Sequence, residues 1–387
     1  MSAKRILLVR EKEFHIHLFQ LAELLVMHGF EVEVLNSSNS DPEPLFQELI
    51  HDAERLGVRC HLVQDRASWL ERRLVASAFH LHLITKRGGV TPYKIRETRR
   101  VLCERPPFDV VITVDPESLF LACRAIPHLL ARIIHYSLEI GDEEHGEFWR
   151  DRSERSFRLF ERAMLPRVAA LLIQDRFRAE VLLRHLPGAR VTTIYMPVAI
   201  NGSGRSTHVL SRPVRVLFFG GLWSESLLRE LDAVAEALPQ DQILLVQGGR
   251  GSAGAIRPAS PRMSVSTQPI PFRNVNDFIA QADIGLVIYH KQEPNDRCSA
   301  FASEKVARYL QCGIPFVAFD SDDYAYLREQ TGCCELVSRF ADIPQAVARI
   351  VADYGRYQRG AVAAFERFYA RPAAASQLLR FLESLAA

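Results

Sequence analysis

Short apolar runs alternate with amphipathic segments along almost the whole chain, and few folds accept that pattern. Residues 5–9 (RILLV), 31–35 (EVEVL), 58–63 (VRCHLV), 109–114 (DVVITV), 131–136 (ARIIHY), 170–174 (ALLIQ) and 191–195 (VTTIY) read as strands. Helical patterns fill the gaps, one running from Glu13 to His28 and closed by Gly29, the residue type that ends helices. Strands that are apolar on both faces and separated by helices indicate a parallel sheet covered on both sides. Residues 199–213 (AINGSGRSTHVLSRP) break the pattern and read as a polar linker, after which it restarts. Residues 214–219, 242–247, 263–268, 283–289 and 314–319 are strands of the second series, and the stretch from Asp342 is helical with a break near Arg371-Pro372.

The expected architecture is therefore α/β, with two doubly wound Rossmann-like domains facing across a cleft. The expected boundaries are 1–198 for the first domain, 199–213 for the linker and 214–362 for the second. Residues 363–387 are expected to be C-terminal helices packing back towards the first domain. Ligands of such sheets bind outside the carboxyl ends of the strands, so chemistry is sought in the loops there.

Composition narrows the function. Of 387 residues, 48 are Lys or Arg and 46 Asp or Glu, a net charge of +2 that excludes a broad basic face for nucleic acid. Seven Cys with no CxxC pair and an odd count indicate reduced thiols and a cytoplasmic setting. The longest apolar runs are about a third of the ~20 residues that a membrane span needs. A basic amphipathic helix over 148–167, with Arg150, Arg152, Arg155, Arg158 and Arg162 among phenylalanines, can rest on the inner face of an anionic membrane. The interleaved Glu154 and Glu161 favour an ordinary surface helix with ion pairs.

Several loops can carry chemistry. FFGGLWSES (218–226) is strand, Gly-Gly and helix start, with Ser224 at the cap. Its backbone N–H groups suit a phosphate, and so would a plain tight turn suit the same letters. QGGRG (247–251) offers Arg250, or a surface turn. In YHKQEPNDRCSAFASEKVARYLQCG (289–313), Arg297, Ser299, Ser303 and Lys305 gather near one helix start, either as a diphosphate clamp or as a solvated loop before a capped helix. HYSLEI (135–140) places His135 and Glu139 at a strand's carboxyl end, where either could act or be structural. No HExxH, Cys/His or flanked DxD metal pattern occurs, and Asp320-Ser321-Asp322-Asp323 reads as a helix cap. Neither first strand leads into GxGxxG, which disfavours a dehydrogenase.

Residues 265–318, with DFIAQADIGLVIY and SEKVARYLQCGIPFVA, resemble the nucleotide-sugar half of GT-B glycosyltransferases of family 4. HYSLEI, ALLIQDRFRAEVL and ARVTTIYMPV are similar to the family's approach to its interdomain linker. The resemblance implies transfer of a sugar from a nucleotide diphosphate-sugar to an acceptor hydroxyl, retaining and metal-independent, with no cofactor beyond that co-substrate. It implies a donor site in the second domain and an acceptor site in the first, for a glycan, lipid-linked or small-molecule acceptor. Gly220 and Gly221 would lie at the diphosphate. Ser303, Glu304 and Lys305 would lie by the phosphates or sugar, and Tyr289 with Gln268-Pro269 by the nucleoside. Ser224, Arg250, Arg297 and Ser299 complete the expected donor set, and Glu139 and His135 are the catalytic candidates.

Departures from the family pattern are specific. Gly221 and Ser226 stand where an Arg and a Lys are usual, and Ala300 and Arg308 where two glutamates are usual. Glu304 is then the replacement carboxylate, and Arg250, Arg297 or Lys305 the replacement cation. An epimerase, or a protein of the same fold without transferase activity, is the alternative that these departures keep open.

Overall fold

The computed structural model describes residues 4–11, 16–38, 44–64, 90–141, 152–205, 208–221, 224–248, 259–289 and 293–385. The chain divides into two compact units. Unit 1 comprises Met1–Met196, Glu293–Asn295 and Gln377–Ala387, and unit 2 comprises Pro197–Gln292 and Asp296–Ser376. The second unit thus extends past residue 362, and of the C-terminal helices only Gln377–Ala387 belong to unit 1.

Unit 1 holds β1 (Arg5–Arg10), β2 (Glu31–Ser38), β3 (Arg59–Gln64), β4 (Val110–Val114), β5 (Ile133–Tyr136), β6 (Ala170–Ile173) and β7 (Thr193–Tyr195). They form one sheet in the order β3-β2-β1-β4-β5-β6-β7, with every pairing parallel. The apolar runs foreseen from the sequence supply it: Ile6, Leu7, Leu8, Val111, Ile112, Leu171 and Leu172 are all fully buried. Leu7, Val9, Val111 and Ile133 then pack on Leu119, Phe120 and Leu121 of the helix Asp115–Ala125.

Unit 2 repeats the plan with β8 (Val214–Gly220), β9 (Gln242–Gly248), β10 (Met263–Ser266), β11 (Ile284–Val287), β12 (Phe316–Phe319) and β13 (Cys334–Val337). Their order is β10-β9-β8-β11-β12-β13, again all parallel. In both sheets the winding reverses between the first strand and the fourth, at β1/β4 and β8/β11. That reversal splits the crossovers to opposite faces and leaves a crevice at the carboxyl ends of those strands. Gly220 ends β8, and Tyr289 follows two residues after β11. The segments singled out in the sequence therefore sit at the switch point of unit 2.

β13 was not foreseen. It is only four residues long and carries Glu335, which pairs with Arg349 at 2.7 Å. The segment 199–213 is polar as expected, yet its backbone is tied to unit 2. Ile200 N–H donates to Tyr369 O at 2.9 Å and Arg205 N–H to Gln311 O at 2.7 Å. All seven cysteines are free thiols. Among the described residues no helix is long and apolar enough to cross a membrane.

One glycine in unit 2 follows from packing. A Cβ on Gly285 of β11 would lie 2.6 Å from ring atoms of Tyr309. Tyr309 lies flat against the strand, fully buried, with its hydroxyl donating to Leu217 O at 2.9 Å. Only a residue without a side chain admits that ring.

Candidate functional site

The loop before the helix Glu304–Gln311 is anchored from inside. Ala300 is fully buried, and its N–H donates to the carboxylate of Asp323 at 2.7 Å. Its carbonyl accepts from the Tyr369 hydroxyl at 2.8 Å. The Ser299 hydroxyl donates to Asp296 O at 2.9 Å and lies 3.0 Å from the Tyr324 hydroxyl, so its bonds are spent within the protein. The string Asp320–Asp323 does open the helix Asp322–Thr331, but no side chain caps it. Instead the Ser321 hydroxyl donates to Asp323 at 2.5 Å, and Asp323 props the loop. Burial raises the Asp323 carboxyl above its ordinary value, against the pull of these donors.

Ser303 caps the helix, accepting from Val306 N–H at 3.3 Å, and its hydroxyl lies 2.8 Å from that of Tyr289. Two residues on, in the first turn, Lys305 projects between two rings. Its Nζ lies 4.7 Å from the ring centre of Tyr289 and 5.1 Å from that of Phe218. It also lies 2.9 Å from where a Cβ on Gly220 would be. Gly220 is thus the residue type that lets the β8 turn and the ammonium approach. Among the described residues no hydrogen-bond acceptor meets that ammonium. Burial pulls it down from 10.5 to about 8, with Asp296 pulling back. A half-buried cation held by ring faces and not by a carboxylate is costly to keep desolvated, and an anion beside it offsets that cost.

Gly220, Tyr289, Ser303 and Lys305 are thus brought together, with Gly221 adjoining in the chain. The other candidates are placed differently. Ser224 caps the helix Glu225–Ala237, its hydroxyl accepting from Leu227 N–H and lying 2.8 Å from Ser226 Oγ. Arg297 is exposed, on the short helix Pro294–Arg297. Glu304 accepts two bonds from Arg308, at 2.6 and 2.9 Å, and Arg308 also reaches Asn276 at 2.7 Å. The two substituted positions therefore behave differently. Ala300 contributes backbone only, whereas Arg308 holds a carboxylate one turn earlier on its own face of the helix. Arg250 lies outside the described residues.

The two catalytic candidates belong to unit 1. His135 on β5 is fully buried, with Nδ1 3.0 Å from Thr113 Oγ1 and Nε2 2.8 Å from Glu161. Glu161 also accepts from Ser137 at 3.0 Å and Arg158 at 3.3 Å. Burial pushes the Glu161 carboxyl up, but Arg158, His135 and Ser137 together hold it below its ordinary value. The helix Arg152–Met164 therefore turns Phe157, Arg158, Glu161 and Arg162 inward, while Arg155 and Leu159 are exposed; residues 148–151 lie outside the described ones. Glu139 is exposed beyond the carboxyl end of β5. Its N–H and that of Leu138 donate to Asp115, which adopts φ 66° and is paired with Arg10 at 2.6 Å.

Three groups escaped sequence reasoning: Phe218 beneath the ammonium, Asp323 behind Ala300, and Asp115 behind Glu139. Only Asp323 left a signal, in the acidic string after β12. Among the described residues no cluster of three or more His, Cys, Asp or Glu could hold a metal ion.

No family model and no curated protein matches the chain. Solved structures do. A sucrose-phosphate synthase from Thermosynechococcus elongatus superposes with a TM-score of 0.67 at 13% identity, over 99% of each chain. HepE from Anabaena, in complex with UDP and glucose, gives 0.67 at 12% identity over 98% of this chain and 100% of its own. A glycosyltransferase from Rickettsia africae gives 0.67 at 10% identity over 100% and 99%. At such identities the likeness establishes the fold, which is the GT-B fold of these glycosyltransferases, two Rossmann-like units end to end in sequence.

Proposed function

We propose that the chain is a glycosyltransferase that moves a sugar from a nucleotide diphosphate-sugar to an acceptor hydroxyl. The observation that carries this reading is the ammonium of Lys305, half-buried between two rings beside Gly220, with no acceptor to meet it among the described residues. A diphosphate at the unit 2 switch point supplies the missing charge. The backbone N–H of Lys305, unpartnered among the described residues at the positive end of the helix Glu304–Gln311, adds to the attraction. Solved neighbours with UDP or UDP-glucose bound support the same class of donor.

In this reading the bond from the sugar's anomeric carbon to the diphosphate breaks, and the diphosphate gains negative charge. Cations and N–H groups fixed in advance stabilise that charge, typically the largest single contribution to the rate. The acceptor oxygen bonds to the anomeric carbon on the face that the diphosphate leaves. Its proton passes to a departing phosphate oxygen, which gives retention without a separate strong base. Unit 1 serves the acceptor, with Glu139 orienting its hydroxyl; Glu139→Ala lowers turnover and leaves donor affinity intact. His135, enclosed by Thr113 and Glu161, orients the interior of unit 1. The protein works in the cytoplasm, where such donors are available.

Thermal-shift titration with UDP-, GDP-, ADP- and dTDP-sugars and with NAD tests the reading, since a ligand that binds only the folded state raises its melting temperature. A rise with one base series of nucleotide sugars is expected. A rise with NAD alone, or with no nucleotide, overturns it.

A further inference from the structure

The chain leaves β4 for the helix Asp115–Ala125 through a strained residue. Pro116 comes next, and a proline disfavours the right-handed helical region for the residue before it. Asp115 takes φ 66°, and among the described residues it is the one residue other than glycine with a positive φ. That region costs an L side chain energy, although Asp is among the few types that visit it. Such a conformation persists only where the surroundings over-determine it, and it clusters at functional sites.

The bonds that hold Asp115 also hold a second loop. Asp115 is buried and stands one residue beyond Val114, the register partner of Arg10 on β1. One carboxylate oxygen accepts from Arg10 at 2.6 Å. The other accepts from the N–H groups of Leu138 at 3.1 Å and Glu139 at 3.3 Å, in the loop after β5. The carbonyls of the same two residues are taken as well. Leu138 O accepts from Arg178 and Glu139 O from Arg158, both buried arginines, on the helices Arg176–Leu183 and Arg152–Met164. All four backbone polar groups of Leu138 and Glu139 are thus bonded to charged side chains from three helices, while Glu139 itself is exposed. An exposed loop ordinarily leaves such groups to water and moves. Charge-assisted bonds, about twice as strong as neutral ones, fix this one instead. Fixing the backbone of an exposed loop sets where the side chain it displays will stand.

We propose that Asp115 is the positioning residue for Glu139: it fixes the loop after β5 so that the Glu139 carboxylate meets the acceptor oxygen in one place. The proposal rests on the reading of Glu139 above and deepens it. A group that orients a reactant must stand close to its productive place, and a misplacement of about 1 Å costs about a hundredfold in rate. Asp115 acts through Glu139, and the left-handed turn after β4 is what lets its carboxylate reach Arg10 and both N–H groups together.

The test follows the release of free sugar by the full-length protein from the nucleotide sugar that the thermal screen selects, with water in the acceptor's place. Asp115→Gly removes the carboxylate, and glycine takes φ 66° without strain, so the turn survives. Turnover is expected to fall about a hundredfold, with the donor dissociation constant, measured by calorimetry, unchanged. Asp115→Asn keeps an oxygen for the two N–H groups and a side chain that tolerates the left-handed region, and it restores most of the turnover. The Asp115→Gly, Glu139→Ala double variant is no slower than Glu139→Ala alone, because residues that act as one unit are not additive. Losses that multiply in the double variant overturn the proposal, since a structural residue would act whether or not Glu139 is present. So does full turnover in Asp115→Gly, a weakened donor, or an Asn variant as slow as the Gly one. A wild type that releases no sugar from any nucleotide sugar overturns the transferase reading and this inference with it, an outcome distinct from release that Asp115 does not govern.

Discussion

Lys305→Met keeps the length of the side chain and removes its charge. Burial draws the ammonium from 10.5 to about 8, and because Lys305 is only half-buried, keeping it charged at pH 7 costs the folded protein at most about 3 kcal/mol relative to the unfolded chain. The ring faces of Phe218 and Tyr289 act in the other direction and stabilise the cation by about 0.5–2 kcal/mol. The variant should therefore be more stable than the wild type, by about 1–3 kcal/mol, or about 2–4 °C in melting temperature for each kcal/mol. The gain depends on pH in a defined direction. Below about pH 8 both states of the wild type carry the proton and the cost is fully present. Between about 8 and 10.5 the folded state releases it first, so wild-type stability rises with pH and the variant's advantage fades. Donor affinity moves oppositely. Loss of a charge-assisted bond worth about 1.5–3 kcal/mol weakens binding about ten- to a hundredfold. Melting curves without ligand and calorimetric titrations with the donor, at pH 7 and 9, measure both effects. A variant that melts lower than the wild type and binds donor equally well would refute the reasoning, because the ammonium would then be a structural group.

Gly285→Ala forces a methyl group into the Tyr309 ring, which is buried and fixed by its hydroxyl. The expected loss is about 1–3 kcal/mol, read as a lower urea midpoint with an unchanged slope. Asp323→Ala leaves the buried Ala300 N–H without an acceptor, costing about 1–3 kcal/mol. Donor affinity falls with it, whereas a destabilised protein of undiminished affinity would show that the loop holds its shape without this bond. His135→Phe strips a hydrogen-bond partner from buried Glu161, with an expected loss of about 3–5 kcal/mol. Glu161 is held below its ordinary value, so its contribution is present near neutrality and disappears as pH falls through the folded-state value. The variant's acid unfolding midpoint should accordingly lie at higher pH, and a stable variant with lost turnover would return His135 to catalysis.

The fold was legible because parallel strands buried on both faces leave uninterrupted apolar letters, as in Ile6–Val9 and Val110–Val114. β13 escaped because an edge strand of four residues with a central Glu335 carries neither a long run nor a clean alternation. The linker reading of 199–213 followed from composition, whereas its bonds to Tyr369 and Gln311 reach far along the chain and leave no local trace. At the site, the Ser303 cap and Lys305 lie within three residues and follow local rules. The ring pair around the ammonium joins Phe218 to Tyr289, and the prop behind Ala300 comes from Asp323, pairings that only the sheet order creates. His135 shows a different limit. A strand's sequence fixes which residues alternate, but the inward face of β5 is chosen by the helix that brings Glu161.

A crystal structure of the protein with the nucleotide sugar that raises its melting temperature most tests the central claim directly. The account predicts a phosphate oxygen within about 3 Å of Lys305 Nζ, on the side of Gly220, with the backbone N–H of Lys305 pointing at the same group. A diphosphate bound elsewhere in unit 2, with the ammonium still enclosed by Phe218 and Tyr289 and touching no anion, would contradict it.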